Sequence, residues 1–309
     1  MSENIKSRDK IMENFKAMGN GITLVYEDIT DENYILINNF YKRYIGSLDY
    51  FIWKSLKEKK YNISSEIKAF LSKKNDIYLS ILITRKCEFS LKYRRVSINM
   101  LSDFGVDESV KSRTLIIESA KQTHRNDIDA TVCYSDTRKI KCYSKIFEKY
   151  MCSRVNIFDF TEILVEGSTE IDVDLSDFNE IDNINKINFF GREVNNNWIA
   201  YAKQCPYYSD IKLLAVGKEL AILGFDDTTV EVIGLSNTAP GTIISVIDSC
   251  LAMRTKCRII LPNPIYAELQ SRLNKHSIIN KFSMMIAWHT EEDFNLRHED
   301  IFISRIDKR

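Results

Sequence analysis

Apolar and polar residues along this chain switch repeatedly between the two-residue period of a strand and the period of a helix, and the order of the switches sets out the expected elements. Residues 5–18 place Ile5, Ile11, Met12, Phe15 and Met18 on one side of a helix that Gly19 and Gly21 would end. Ile22–Tyr26 reads as a first strand, Asp28–Lys60 as a long helical stretch, and Ser64–Lys74 as another helix. Ile77–Ile83 and Phe89–Phe104 have the apolar, β-branched composition of strands. They lead into a helix carrying Val110, Leu115, Ile117 and Ala120, a strand over Ile128–Tyr134, and a second helix containing Cys142–Phe147.

After Phe160 the composition changes. Glu162–Asp182 is rich in acids, with Glu166, Glu170, Asp172, Asp174, Asp177, Glu180 and Asp182, and reads as a solvated connector rather than a metal site. A helix and turn over Asn195–Tyr208 follow, then strands at Lys212–Val216, Leu220–Phe225 and Thr229–Leu235. The turn Asn237–Thr242 opens a helix over Ile243–Met253, succeeded by a strand at Cys257–Leu261, a break at Pro262–Pro264, a helix over Tyr266–Asn274 and a strand at Phe282–Trp288. The second half thus repeats the element order of the first.

The stretch from Phe104 to Phe147 carries the candidate chemistry. A strand running into a helix N-terminus presents unpaired N–H groups and a partial positive charge, which is a ready anion site. Asp107 or Ser109 is placed to cap that helix, while Lys111 and Arg113 fall in its first turn, where cations are disfavoured without an anionic partner. An ordinary helix start with a basic, solvated surface is the alternative.

The sequence Val106-Asp-Glu-Ser-Val-Lys-Ser-Arg-Thr-Leu-Ile116, followed by the strand to Tyr134 and by Cys142-Tyr-Ser-Lys-Ile-Phe147, resembles the cofactor-binding core of the GCN5-related N-acetyltransferases. The basic positions of that family's turn are kept; its proline and glycines are replaced. The resemblance implies an α/β (α+β) fold of two acetyltransferase-like units, each a mixed, mostly antiparallel sheet flanked by helices. It also implies that acetyl-CoA or another acyl-CoA binds at Phe104, Val106, Lys111, Ser112, Arg113 and Thr114 as a substrate, with no metal. Asp103, three residues before Val106, takes the place of a general base, or else only caps a turn with Ser102. Tyr143 inherits the family tyrosine that protonates the departing thiolate, or else is a packing tyrosine, and backbone N–H groups near Phe104–Val106 would polarise the thioester carbonyl.

A chain of 309 residues with 44% hydrophobic content is long enough for two cores, and the expected division is an N-terminal helix at 1–20, a unit at 21–160 with the acyl-CoA site, and a second, degenerate unit at 161–309. The second turn, Asn237–Thr242, has no basic residue. Formal net charge is zero, which argues against a general nucleic-acid binder. The charge is unevenly spread, with 28 Lys plus Arg against 21 Asp plus Glu in residues 1–160 and 15 against 22 in 161–309. A basic first half suits a phosphorylated cofactor. Seven cysteines without a CxxC pair point to reduced thiols in a cytoplasmic protein, and neither a signal peptide nor an apolar run of membrane length is expected. Cys142 reads as a small apolar residue facing the core. The N-terminal helix docks on the body or joins two copies as a homodimer. Three functions remain open: acyl transfer from acyl-CoA to an amine acceptor, the same transfer from an acyl carrier protein, and a non-catalytic scaffold that keeps the fold.

Overall fold

Thirteen strands join into a single sheet in a computed structural model that describes residues 15–17, 22–30, 37, 47–75, 77–91, 94–107, 116–118, 121, 127–151, 153–167, 191–192, 194–273, 275–290, 294–303 and 306. The strands are β1 (Phe15–Ala17), β2 (Thr23–Asp28), β3 (Ser64–Lys74), β4 (Ile77–Leu91), β5 (Arg94–Val106), β6 (Ala130–Ser135), β7 (Arg154–Glu166), β8 (Gly191–Arg192), β9 (Asp210–Val216), β10 (Glu219–Phe225), β11 (Thr229–Leu235), β12 (Lys256–Pro262) and β13 (His276–Trp288). Their spatial order is β1-β2-β3-β4-β5-β6-β13-β7-β12-β11-β10-β9, with β8 paired to β4. The β5–β6 and β11–β12 pairs are parallel and the other pairs antiparallel.

Helices cover both faces. Leu48–Ile52, a π turn over Trp53–Lys57 and Glu58–Lys60 make one helix, α1, started by Ser47, whose side chain accepts the N–H of Tyr50. The π turn lets three consecutive residues, Trp53, Lys54 and Ser55, face inward together. The remaining helices are α2 (Thr137–Met151), α3 (Asn196–Ala202), α4 (Pro240–Met253) and α5 (Asn263–Leu269). Successive strand residues point to opposite faces. Trp53 of α1 packs with Ile81 and Ile83 of β4, whereas Ile140 and Phe147 of α2 pack with Leu82, so α1 and α2 lie on opposite sides of the sheet.

The central strands are exchanged between the two halves. Each parallel pair is followed by a helical crossover, β6-α2-β7 in the first half and β12-α5-β13 in the second, and each crossover spans a strand of the other half. Thus β13 lies between β6 and β7, pairing Ser283 with both Ser135 and Asp159, and β7 lies between β13 and β12, pairing Phe160 with both Phe282 and Pro262. Ser283 Oγ donates to Asp159 and bonds Thr137 Oγ1 at the start of α2, while Thr161 Oγ1 donates to Asn263 Oδ1 at the start of α5. Both halves also share one core cluster, in which α3 side chains Trp198 and Tyr201 join Ile67 and Ile81 of the first half to Ile211 and Leu213 of the second.

Several expectations change here. Ser64–Lys74 is strand β3, not a helix: Ile67, Ala69 and Leu71 pack toward α1 while Phe70 packs toward α2. Burial on both faces at Ala69–Leu71 breaks the strict alternation of a one-faced strand, so periodicity alone does not separate the segment from a helix, and pairing with β2 and β4 overrides its helix-forming residues. Phe15–Ala17, expected at the end of a helix, extends the sheet beside β2, and residues 5–14 lie outside the described residues. The division expected at 160/161 falls inside β7, and Glu162–Glu166 belong to that strand rather than to a connector, Glu166 pairing with Lys275. No helix among the described residues is long and apolar enough to cross a membrane.

Met284, Met285, Ile286 and Trp288 of β13 are all buried. At ~2 kcal/mol per large apolar side chain their loss removes about 8 kcal/mol, comparable with the whole stability of a typical domain. Residues 1–166 and 167–309 made as separate chains are therefore expected to show no cooperative thermal transition on their own; a sharp transition from either fragment alone would contradict the exchange.

Candidate active site

The parallel pair β5–β6 comes apart partway along its length. Registered pairs run from Ile98–Ala130 to Leu101–Cys133, after which β5 continues to Val106 and β6 to Ser135 without further pairing between them. At the same level β5 carries a bulge against β4: Ile83 pairs with Ser102 and Ile81 with Gly105, so Leu82 faces two residues, Asp103 and Phe104. The extra residue shifts the alternation, which is why Leu101, Phe104 and Val106 all pack toward α2. Asp103 adopts φ 53°, a left-handed conformation that asparagine and aspartate tolerate better than most residues.

A cluster of buried charges holds the bulge. Arg85 Nη2 donates to Asp103 Oδ2 at 2.8 Å, Ser102 Oγ donates to the same oxygen at 2.9 Å, and Arg85 Nη1 also reaches Ser102 Oγ. Lys54 Nζ lies 3.4 Å from Asp103 Oδ1. Behind them Glu58 forms an ion pair with Arg85, Oε2 lying 2.9 Å from Nε, accepts Ser64 Oγ at 2.8 Å and meets the Arg192 guanidinium, which β8 delivers to the edge of β4. The side chains of all five charged residues are at most 5% exposed.

Burial works against ionising Asp103, but Lys54, Arg85 and the hydrogen bond from Ser102 outweigh it and hold the carboxyl far below the usual range. A carboxylate so stabilised takes up a proton poorly at neutral pH, which runs against the general-base role expected of Asp103. Lys54 shifts the other way: burial first, then Arg85, pull its ammonium from 10.5 to about 8 despite the neighbouring Asp103 and Glu58.

Where β5 and β6 diverge, a cleft of about 150 Å³ opens, lined by Leu82, Leu101, Ser102, Asp103, Phe104, Ile116, Cys133, Tyr134, Ser135, Lys139 and Tyr143. Helix α2 supplies the last two. Asp136 caps it by accepting the N–H of Arg138 at 2.8 Å, and Ile140, Ser144 and Phe147 turn inward, which brings Tyr143 half-buried to the cleft wall. Burial raises the Tyr143 phenol above its ordinary value, so it stays protonated. The Cys133 thiol, pushed up to about 12 by burial, is inert at neutral pH. Cys142 is exposed on α2 rather than facing the core.

Of the residues expected at the site, Asp103, Phe104 and Tyr143 line one cleft, and Val106 closes β5 just beyond it, paired with Ser80. Lys111, Ser112, Arg113 and Thr114 lie outside the described residues. Sequence reasoning did not single out Lys54, Glu58, Lys139 or Arg192. Arg85 carried a usable signal, since it occupies the inward register of Ile81 and Ile83 on β4.

The second half places something else at the equivalent position. β11 and β12 are registered only from Thr229–Lys256 to Glu231–Arg258 and then separate. There Thr238 Oγ1 donates to the carbonyl of Glu299 at 2.9 Å, Phe302 packs against the cluster containing Leu235, Ile243, Leu261 and Ile265, and a short 3₁₀ turn over His298–Asp300 contacts α5. The chain's own C-terminal segment thus packs where the first half has its cleft.

Comparison with protein-family models and with curated proteins gives no match. Solved structures do match. A putative acetyltransferase from Pyrococcus horikoshii aligns over 95% of this chain and 98% of its own, with a TM-score of 0.64 at 12% identity. GCN5-related N-acetyltransferases from Anabaena variabilis and Kribbella flavida align over 86% and 88% of this chain and 73% and 72% of theirs, both with TM-scores of 0.56, at 10% and 11% identity. The fold is therefore that seen in the GCN5-related N-acetyltransferases, an α+β arrangement with a large, mostly antiparallel sheet flanked by helices.

Because the folded lysine titrates near 8 and the unfolded one near 10.5, the charged form of Lys54 costs the folded state ~3 kcal/mol below pH 8, and the cost falls away as pH rises from about 8 to 10.5. Lys54→Met is expected to be more stable than the parent at pH 7, by ~1–3 kcal/mol in urea unfolding, with the gain shrinking toward pH 10. A variant less stable than the parent at pH 7 would contradict this account of the cluster.

Proposed function

We propose that this protein is an acyl-coenzyme A-dependent N-acyltransferase whose single working site is the cleft of the first unit. The observation that carries the reading is the coincidence, at one level of the sheet, of the β5 bulge, the parting of β5 from β6 and the Tyr143 phenol. Parted strands leave room for an extended thioester arm between them. Beyond Leu101 β5 is no longer registered with β6, so the backbone at Phe104–Val106 would present its β6-facing N–H groups to polarise the thioester carbonyl. Lys111, Ser112, Arg113 and Thr114 would meet the pyrophosphate at the following helix N-terminus.

In the reaction an amine acceptor attacks the thioester carbon, forming the C–N bond. The C–S bond breaks, and Tyr143 gives its phenolic proton to the departing thiolate. The new ammonium then loses a proton that passes by way of solvent to the Tyr143 phenolate, restoring the phenol. Asp103 takes no proton in this scheme: ion-paired with Arg85 and Lys54, it fixes the bulge. The second unit, its equivalent position taken by residues 298–302, serves structure. The division at 21–160 and 161–309 is carried into this reading with β7 and β13 exchanged between the units. Unpaired thiols, including Cys250 and Cys257, support a reducing, cytoplasmic setting.

Acetyl-CoA at a hundredfold excess over Kd should stabilise the protein by about 2.7 kcal/mol, a rise of several degrees in melting temperature that Lys111→Glu with Arg113→Glu abolishes. No rise with any acyl-CoA, and none from acyl carrier protein thioesters, would leave only the scaffold reading. Tyr143→Phe is expected to lower kcat for thiol release by about 10²-fold with KM for acyl-CoA nearly unchanged. Unaltered kcat would remove the tyrosine from the mechanism.

A further inference from the structure

We infer that Lys54 is itself an acyl acceptor, modified on Nζ by the thioester held in the cleft. The inference rests on the acyl-CoA reading of that cleft. The lining residues Leu82, Leu101 and Cys133 belong with α2 on one face of the sheet, whereas Lys54 stands on α1 against the other face. The two meet at the bulge: Lys54 Nζ is 3.4 Å from Asp103 Oδ1, and Asp103 forms part of the cleft wall. A thioester carbonyl polarised at the bulge would have its leaving sulfur on the α2 side and an amine waiting on the opposite side.

Charge balance favours the acylated form. Among the described residues Lys54, Arg85 and Arg192 face Glu58 and Asp103, an excess of one positive charge buried from water. The groups around Lys54 are Asp103 from β5, Arg85 from β4, Arg192 from β8, and Glu58 and Tyr50 from its own helix, the Tyr50 ring lying 5.3 Å below the ammonium. Losing a proton leaves a neutral amine, which is the nucleophilic form, and burial with Arg85 brings that loss to about pH 8. Attack forms the C–N bond and breaks the C–S bond. One proton passes from the amine to the thiolate, leaving an amide, free coenzyme A and a cluster of two cations and two carboxylates.

The unmodified wild-type protein would be incubated with acetyl-CoA at pH 6.5 and 8.5, its melting temperature measured with and without coenzyme A, and its peptides analysed by mass spectrometry. Acetylation of Lys54 ahead of the exposed Lys141 and Lys145, about twentyfold faster at pH 8.5 than at 6.5 and suppressed by free coenzyme A, is the expected result. A coenzyme-induced rise in melting temperature with Lys54 unmodified, or modified no faster than the exposed lysines, overturns the inference and leaves the acyl-CoA reading standing. No effect of coenzyme A on melting and no acetylation at Lys54 overturns both.

Discussion

β13 hydrogen-bonds β6 along one edge and β7 along the other, and β7 in turn pairs with β12. The placing of both parallel pairs and both crossover helices depends on this exchange. Because β7 and β13 from the two halves of the chain interleave, the two parallel pairs, β5–β6 and β11–β12, are held in one continuous sheet at fixed separation. Packing alone would not ensure this. The polar links at the crossing, Thr137–Ser283–Asp159 and Thr161–Asn263, fix where each crossover helix begins, and α2 in consequence presents Tyr143 to the place where β5 and β6 part.

The bulge on β5 needs a different kind of support. A left-handed aspartate and a strand ladder with two residues opposite one are both unfavourable locally, by ~1–3 kcal/mol for the backbone conformation. Arg85 offsets this by engaging Ser102 and Asp103 together, and Glu58 fixes Arg85. A buried pair of this kind contributes little net stability but a strong geometric preference, since removing one partner strands the other's charge. The cost surfaces at Lys54, whose ammonium is one positive charge more than the carboxylates of the cluster balance among the described residues. A polar cluster that makes a strand bulge rigid has thereby left an amine with a lowered proton affinity beside the cleft.

How much of this was legible in the sequence depended on whether an element buries one face or two. β9, β10, β11 and β12, bounded by turns, fell within a few residues of expectation, and so did α4 behind its Pro240 start. β3 did not, because Ile67–Leu71 is apolar toward both α1 and α2. The exchange could not be read at all: β7 and its partner β12 are about a hundred residues apart, and nothing in Arg154–Glu166 announces which strand it will join. At the site, Asp103 and Tyr143 were found through a resemblance, and they do meet at one cleft. The chemistry around Asp103 was invisible, since Lys54, Glu58 and Arg192 come from a helix and a two-residue strand far from it in sequence. Arg85 on the inward face of β4, and the slip of alternation from Leu101 to Phe104, were signals that went unread.

The central claim is that the first unit alone offers a cofactor site, at the level of the β5 bulge. Hydrogen–deuterium exchange with and without acetyl-CoA tests it most directly, because it reports each unit separately in the intact protein. Slower exchange over residues 102–106 and 134–143, with no change over 236–243, is the predicted result. Protection over 236–243, or no protection in either unit, would contradict the account.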